Sequence, residues 1–129
     1  MLKRNEVLLG LQSSLARKIK IPNVLVDDIL TLDANKAPFL VIRPSNTEIR
    51  ATNSDTWKHA MSLEFEILAP SKDLADHLLE QVLEELEIFS AAHKDPKGIR
   101  VEKVEIAATP LYALILELDM VFFTPSFRS

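Results

Sequence analysis

The segment from Trp57 to Ile67 constrains the fold of this chain more than any other. Its apolar and polar residues alternate, and successive side chains of a β-strand point to opposite faces of the sheet. The pattern therefore predicts a strand of about ten residues with one buried face, ended by Pro70. One face would carry Trp57, His59, Met61, Leu63, Phe65 and Ile67, and the other Lys58, Ser62, Glu64 and Glu66.

One amphipathic helix is predicted before this strand in the sequence, and another after it. The first spans residues 5–20, with Asn5 as its N-cap, and ends before Pro22. The second spans residues 72–90, with Ser71 as its N-cap. Apolar residues at three- and four-residue steps form one face of each helix. They are Leu8, Leu11, Leu15 and Ile19 in the first helix, and Leu74, Leu78, Leu79, Val82, Leu86 and Phe89 in the second.

Upstream of the long strand, the signals are shorter. The run "APFLVIRP", residues 37–44, is continuously apolar and predicts a buried strand. Residues 48–51 follow in a polar, turn-rich stretch and are expected to form one arm of a hairpin. The stretch "NVLVDDILTLD", residues 23–33, is ambiguous and could hold a short strand.

Downstream of the second helix, "HKDPKG", residues 93–98, predicts a turn. Two strands are then expected, at 99–107 and 111–123. The passage 57–106 is long enough for a strand–helix–strand crossover, so the sheet should be mixed. The last strand places five apolar residues on one face, namely Leu114, Leu116, Leu118, Met120 and Phe122.

These elements together predict an α+β fold, a mixed, mostly antiparallel β-sheet with two amphipathic helices packed on one face. The 129 residues fit a single domain, 1–129, in which the last six residues, 124–129, could be flexible.

The composition argues against several classes of protein. No apolar run approaches the length of a transmembrane helix, and no signal peptide is predicted. The net charge is −4 without a long basic run, which argues against sequence-specific nucleic-acid binding. The chain contains no cysteine, which fits a reducing cytosol.

No residue set for catalysis is visible, so we expect no enzyme activity, no cofactor and no metal site. Acids two residues apart on strands, such as Glu64 with Glu66, could suggest a carboxylate pair for glycoside hydrolysis. They are more simply a polar face of the sheet. If the strands of Glu64 and Glu117 were neighbours, the facing like charges would need a nearby cation. The candidates are Arg43, Arg50, Lys58, Arg100 and Lys103, or a residue of an adjacent subunit.

A short motif precedes the long strand. Ser54, Asp55, Thr56 and Trp57 lead into the strand that Pro70 ends, and "LDANKAPFLVIRP" lies upstream. In these residues, roughly 30–90, the chain resembles the tail terminator family of phages, which includes the minor tail protein U of phage lambda. The resemblance implies a ring of six subunits that caps the tail tube and stops its growth. Its partners would be the tail tube protein and a head completion protein, in the virion tail and, during assembly, in the host cytoplasm.

The resemblance directs attention to subunit interfaces. The candidate interface residues are Arg50, Ser54, Asp55, Thr56, Trp57, Glu64 and Glu117. Two readings of the motif remain open. It could contact a neighbouring subunit, or Asp55 or Ser54 could only shape the turn while Trp57 anchors the edge of the core. Phe123 and Phe127 could be exposed for a partner or tucked against their own subunit.

A second surface also has two readings. The helix at 72–90 presents an acidic stripe that is either a solvated face or the wall of a ring lumen, where it would repel DNA phosphates. The stripe consists of Asp73, Asp76, Glu80, Glu84 and Glu87. The alternative to a ring is a small dimeric α+β domain that binds a ligand or regulates another protein.

Overall fold

The computed structural model describes residues 2–19, 24–26, 37–53, 55–106 and 108–127. Within these ranges the chain forms two helices and one five-stranded sheet of order β1-β2-β3-β5-β4. The elements are α1 (Lys3–Ile19), β1 (Val24–Val26), β2 (Phe39–Ala51), β3 (Thr56–Ala69), α2 (Lys72–Ile88), β4 (His93–Ile106) and β5 (Thr109–Pro125). β1 is parallel to β2, and the other three strand pairs are antiparallel. The predicted α+β class with a mixed sheet is confirmed.

The first helix begins earlier than predicted. The backbone amides of Asn5 and Glu6 both donate to the carbonyl of Leu2, over 3.0 and 3.2 Å. Asn5 therefore lies inside the first turn, and its predicted role as N-cap is wrong. Lys3 and Arg4 are good helix formers, which allows the helix to extend toward the N-terminus. The predicted apolar face is buried, with Leu11 and Leu15 fully inaccessible.

β2 is longer than the apolar run that predicted it. The strand continues to Ala51, so the separate buried strand and hairpin arm are one element. A bulge between Pro44 and Thr47 interrupts the register with β3 and accommodates the proline. The ambiguous segment contains β1, which pairs with β2 at Leu40–Ile42. The rest of that segment lies outside the described residues.

β3 and α2 follow the predicted pattern. The six inward positions from Trp57 to Ile67 share one face, and five of them are buried. The Ser71 side chain accepts a hydrogen bond from the Leu74 amide over 3.2 Å, which confirms it as the N-cap of α2.

The predicted turn at 93–98 is wrong. These residues begin β4, which pairs with β5 and bulges between Pro96 and Gly98. A proline has no backbone N–H to donate to a neighbouring strand. β4 tolerates Pro96 because it is an edge strand, with a neighbour on one side only. The turn residues Pro96 and Gly98 thus mark a bulge in a strand, and pairing with β5 outweighs their local preference.

Both helices pack on one face of the sheet, which we call the helix side. Its core contains the inward residues of β2, β3 and β5 and the apolar faces of α1 and α2, including Leu63, Phe65 and Leu116. The opposite face, called the outer face, bears Glu64, Glu66, Glu117 and Asp119 and a smaller buried apolar cluster around Phe39 and Val41.

The two helices do not cover the whole sheet. Strands are spaced by about 4.8 Å and packed helices by about 8–10 Å, so two helices cover about four strands. α1 contacts β1 and α2, and α2 contacts β3 and β5. On the helix side of β4, Ile99 and Val101 are consequently 51% and 69% exposed.

Candidate functional site

The tip of the β2–β3 hairpin holds most of the predicted interface residues. The backbone amide and the hydroxyl of Thr52 both donate to the carbonyl of Thr56, over 3.0 and 3.1 Å. The Asn53 side chain accepts from the Asp55 amide over 2.8 Å. Asn53 thus shapes the turn as an Asx turn, and the exposed Asp55 carboxylate is not used for it. Ser54 lies outside the described residues.

The chain end packs on this hairpin tip. The Ser126 amide donates to the Asp55 carbonyl over 2.9 Å, and the Phe127 ring lies 4.8 Å from the Trp57 ring, between centroids. Thr124 continues β5 opposite Trp57. Residues 124–127 of the segment expected to be flexible are thus attached to the hairpin, while Phe127 remains 88% exposed.

His59 is buried next to Trp57, and the centroids of the two rings are 6.4 Å apart. Its ring stacks on Phe122 with centroids 4.8 Å apart, and Nε2 lies 2.8 Å from the Thr124 hydroxyl. Burial lowers the pKa of His59 below its ordinary value of 6.5, because the charged imidazolium loses its hydration. The neutral ring with one polar partner is a stable arrangement inside the sheet.

The outer face of the hairpin tip carries two cations side by side. Arg50 on β2 is directly opposite Lys58 on β3, and both are exposed. Within the described part of the chain, no carboxylate lies within 4.0 Å of either cation. Like charges directly opposite each other destabilise a strand pair. This pair therefore has no close ion-pair partner among the described residues of its own subunit.

Glu64 and Glu117 form the reverse case, because the subunit itself compensates them. β3 and β5 are neighbours in the sheet, and the two carboxylates lie directly opposite each other. Arg100 on β4 lies between them, with Nη2 3.4 Å from Glu64 and Nε 2.8 Å from Glu117. A nearby cation was predicted, and Arg100 was among the candidates. Arg43 pairs with Glu66 in the same way, over 3.1 Å.

Acids still outnumber cations at the β4 edge of the outer face. Arg100 also contacts Glu102 over 3.3 Å, so three carboxylates share one guanidinium. Lys97 lies 3.0 Å from Asp95 and 3.6 Å from Asp119. Hydrogen bonding and attraction by these two acids raise the pKa of Lys97. Five carboxylates and two cations leave this edge negative, whereas Arg50 and Lys58 on the hairpin are two cations that face each other.

The acidic stripe of α2 is exposed along its length. Glu84 is paired with Lys18 of α1 over 2.9 Å. Their hydrogen bond lowers the pKa of Glu84 and raises that of Lys18. Exposure fits both readings of the stripe, a solvated face and a lumen wall.

Among the described residues, no group of three or more His, Asp or Glu side chains could hold a metal ion. His59 lies on β3, His77 on α2 and His93 on β4. No helix described here is both long and apolar enough to cross a membrane.

No family model matches this chain, and none of the curated proteins compared with it is significantly similar. Two features of the site escaped the sequence prediction. The alternation of β3 predicts that Lys58 points to the polar face of the strand. That Lys58 lies opposite Arg50 depends on the register of the hairpin. The exposed helix side of β4 depends on where the helices lie.

Proposed function

We propose that this protein is a structural component of a phage or prophage tail. Six copies form a ring that caps the tail tube, ends its polymerisation and offers the surface for joining the head. The proposal rests on the resemblance of residues 30–90 to tail terminators. The observation that supports an interface role is the like-charged pair of Arg50 and Lys58.

This pair is unfavourable in the isolated subunit. Natural proteins accept such local violations mainly where a partner or a function compensates them. A negative surface of a neighbouring subunit would turn the cost into a gain, and complementary charge would also direct the two surfaces toward each other. Asp55 and the exposed Phe127 lie at the same end of the molecule, so one contact could include all of them.

The ring is tested by reversing the charge of Arg50. Arg50→Glu places an acid opposite Lys58, so we expect the isolated subunit to gain about 0.2–1 kcal/mol of stability. The same variant should lose ring formation and tail capping. Urea denaturation measures the first effect, and an in vitro assembly assay that scores tail length and head joining measures the second.

Lys72→Glu is the matched control, since Lys72 is exposed on α2, away from the hairpin. It should leave tail capping unchanged. Normal tails from Arg50→Glu would show that the hairpin tip is not the interface. A wild-type protein that forms dimers and ignores tube ends would instead favour the ligand-binding or regulatory alternative.

A further inference from the structure

The sheet ends in two edges that differ in length and charge. β4 is one edge and extends over fourteen residues. The other edge is formed by β1 and β2. β1 pairs with β2 only at Leu40–Ile42, and from Arg43 to Ala51 no other described strand pairs with the edge of β2 that points away from β3. Edge strands with free backbone groups accept another strand readily.

Each edge exposes apolar side chains on the same side of the sheet. Ile49 on β2 is 50% exposed, and Ile99 on β4 is 51% exposed. Ile49 pairs with His59, and Ile99 pairs with Leu116, so both lie on the helix side. If the two edges of neighbouring copies met, these half-exposed isoleucines could cover each other.

The strand directions permit this contact without turning a copy over. β2, β3, β5 and β4 alternate in direction across the sheet, so β4 is antiparallel to β2. A second copy beside the first would therefore continue the antiparallel order with its helices on the same side. Because each copy offers one edge of each kind, the contact repeats head to tail and gives a ring if it closes.

The side chains select a register for this contact. When Ile49 faces Ile99, Thr47 faces Val101 on the helix side, and Glu48 faces Arg100 on the outer face. Arg50 then faces Gly98, where a Cβ atom would meet nothing within 4 Å. Gly98 is paired with Glu117, so the Arg50 side chain can cross the glycine toward that carboxylate.

Charge also decides between two kinds of pairing. A symmetric contact of two β4 edges would bring together two negative outer faces and leave Ile49 uncovered. A contact of β2 with β4 brings the cations of the hairpin tip to the excess of acids around Arg100 and Lys97. The second arrangement pairs opposite charges and covers both isoleucines.

From these observations we infer that the edge of β2 at Thr47–Ala51 binds the edge of β4 at Lys97–Val101 of a second copy, in antiparallel register with Ile49 against Ile99. The occupant of each edge is another copy of this chain. This inference rests on the proposed ring and adds the identity of its subunit contact.

Disulfide cross-linking tests the register, because the chain contains no cysteine of its own. Opposed residues in antiparallel strands have Cα atoms about 4.5–5.5 Å apart, within the range of a disulfide. The double variant Ile49→Cys with Ile99→Cys should form a series of covalent oligomers under oxidation. Thr47→Cys with Val101→Cys provides a second pair in the same register if the first variant fails to fold.

The control pair is Ile49→Cys with Lys103→Cys, which is displaced by four residues, about 13 Å along the strand. It should yield at least tenfold less cross-linked product, and the single variants should not extend beyond dimers. Dimers from Val101→Cys alone, without a series from either double variant, would show that β4 pairs with itself and would overturn the inference. No cross-link at high concentration or on tube ends would overturn it as well.

The cross-linking experiment tests the β2–β4 contact, and tail capping tests the proposed function, so the two can fail independently. Tail capping by a protein whose double variants do not cross-link contradicts the β2–β4 contact alone. A covalent series in a protein that does not bind tube ends supports the contact and contradicts the tail-terminator role.

Discussion

His59 shows how one residue links the long strand to the chain end. Alternation along β3 predicts that it points inward, which is confirmed, but its partners come from β5 and could not be predicted from local pattern. It is 2% exposed, stacked on Phe122 and within hydrogen-bond distance of Thr124. Its protonation is therefore coupled to folding.

The pKa of His59 is lowered in the folded state, which sets the sign of a pH effect. Above the ordinary value of 6.5 both states are neutral, and the residue adds no pH dependence. Below it the unfolded state binds the proton first, so stability falls with falling pH. We expect urea denaturation to show lower stability at about pH 5.5 than at about pH 7.5. His59→Gln should reduce this difference, whereas His77→Gln, at an exposed site, should keep it.

Trp57 is a surface-facing contact of the hairpin tip more than a core residue. It is only half-buried, and its ring contacts Phe127, which is itself exposed. Aromatic pairs of this kind contribute about 0.5–1.5 kcal/mol beyond area burial. Trp57→Ala should therefore lower the free energy of unfolding by about 1–2 kcal/mol, well below the cost of emptying a core site. Leu63→Ala, in the core, is the comparison, and an equal loss in thermal melts would place Trp57 in the core after all.

Helices and strands that one residue pattern defines could be predicted from the sequence. β3, α2 and the inward face of β5 follow from periodicity, because burial on one side dictates residue type. Segments in which strand pairing overrides local preference could not be predicted. The bulges at Pro44 and at Pro96–Gly98 look like strand ends or turns in the sequence, yet a neighbouring strand extends through both.

Arg100 makes the central strands compatible. Without it, Glu64 and Glu117 would face each other uncompensated across β3 and β5. Arg100→Gln should destabilise the subunit by about 1 kcal/mol, since the groups are only partly buried. Glu105→Gln, at an exposed position of the same strand with no ion pair among the described residues, should have little effect. The loss should shrink at high salt in urea denaturation, and a loss that is independent of salt would mean that packing, not charge, explains it.

Across the subunit, the two helices leave one strand of the sheet uncovered. The outer face carries two facing cations at the hairpin and an excess of acids at the β4 edge. The sequence predicts the layers and the candidate residues Arg50 and Glu117. It does not predict that one of them lies opposite another cation and the other among an excess of acids, because that requires the strand order and register. A subunit with two different, complementary edges is suited to head-to-tail assembly.

The proposed ring of this subunit caps the end of a tail tube. The direct measurement is the number of copies bound per tube end, with tubes assembled from the tail tube protein of the same genome. Quantitative mass analysis and electron microscopy should find six copies of the 14.5 kDa chain at each capped end, and no further tube growth. Absence of binding, or binding along the whole tube without arrest of growth, would contradict the proposed ring.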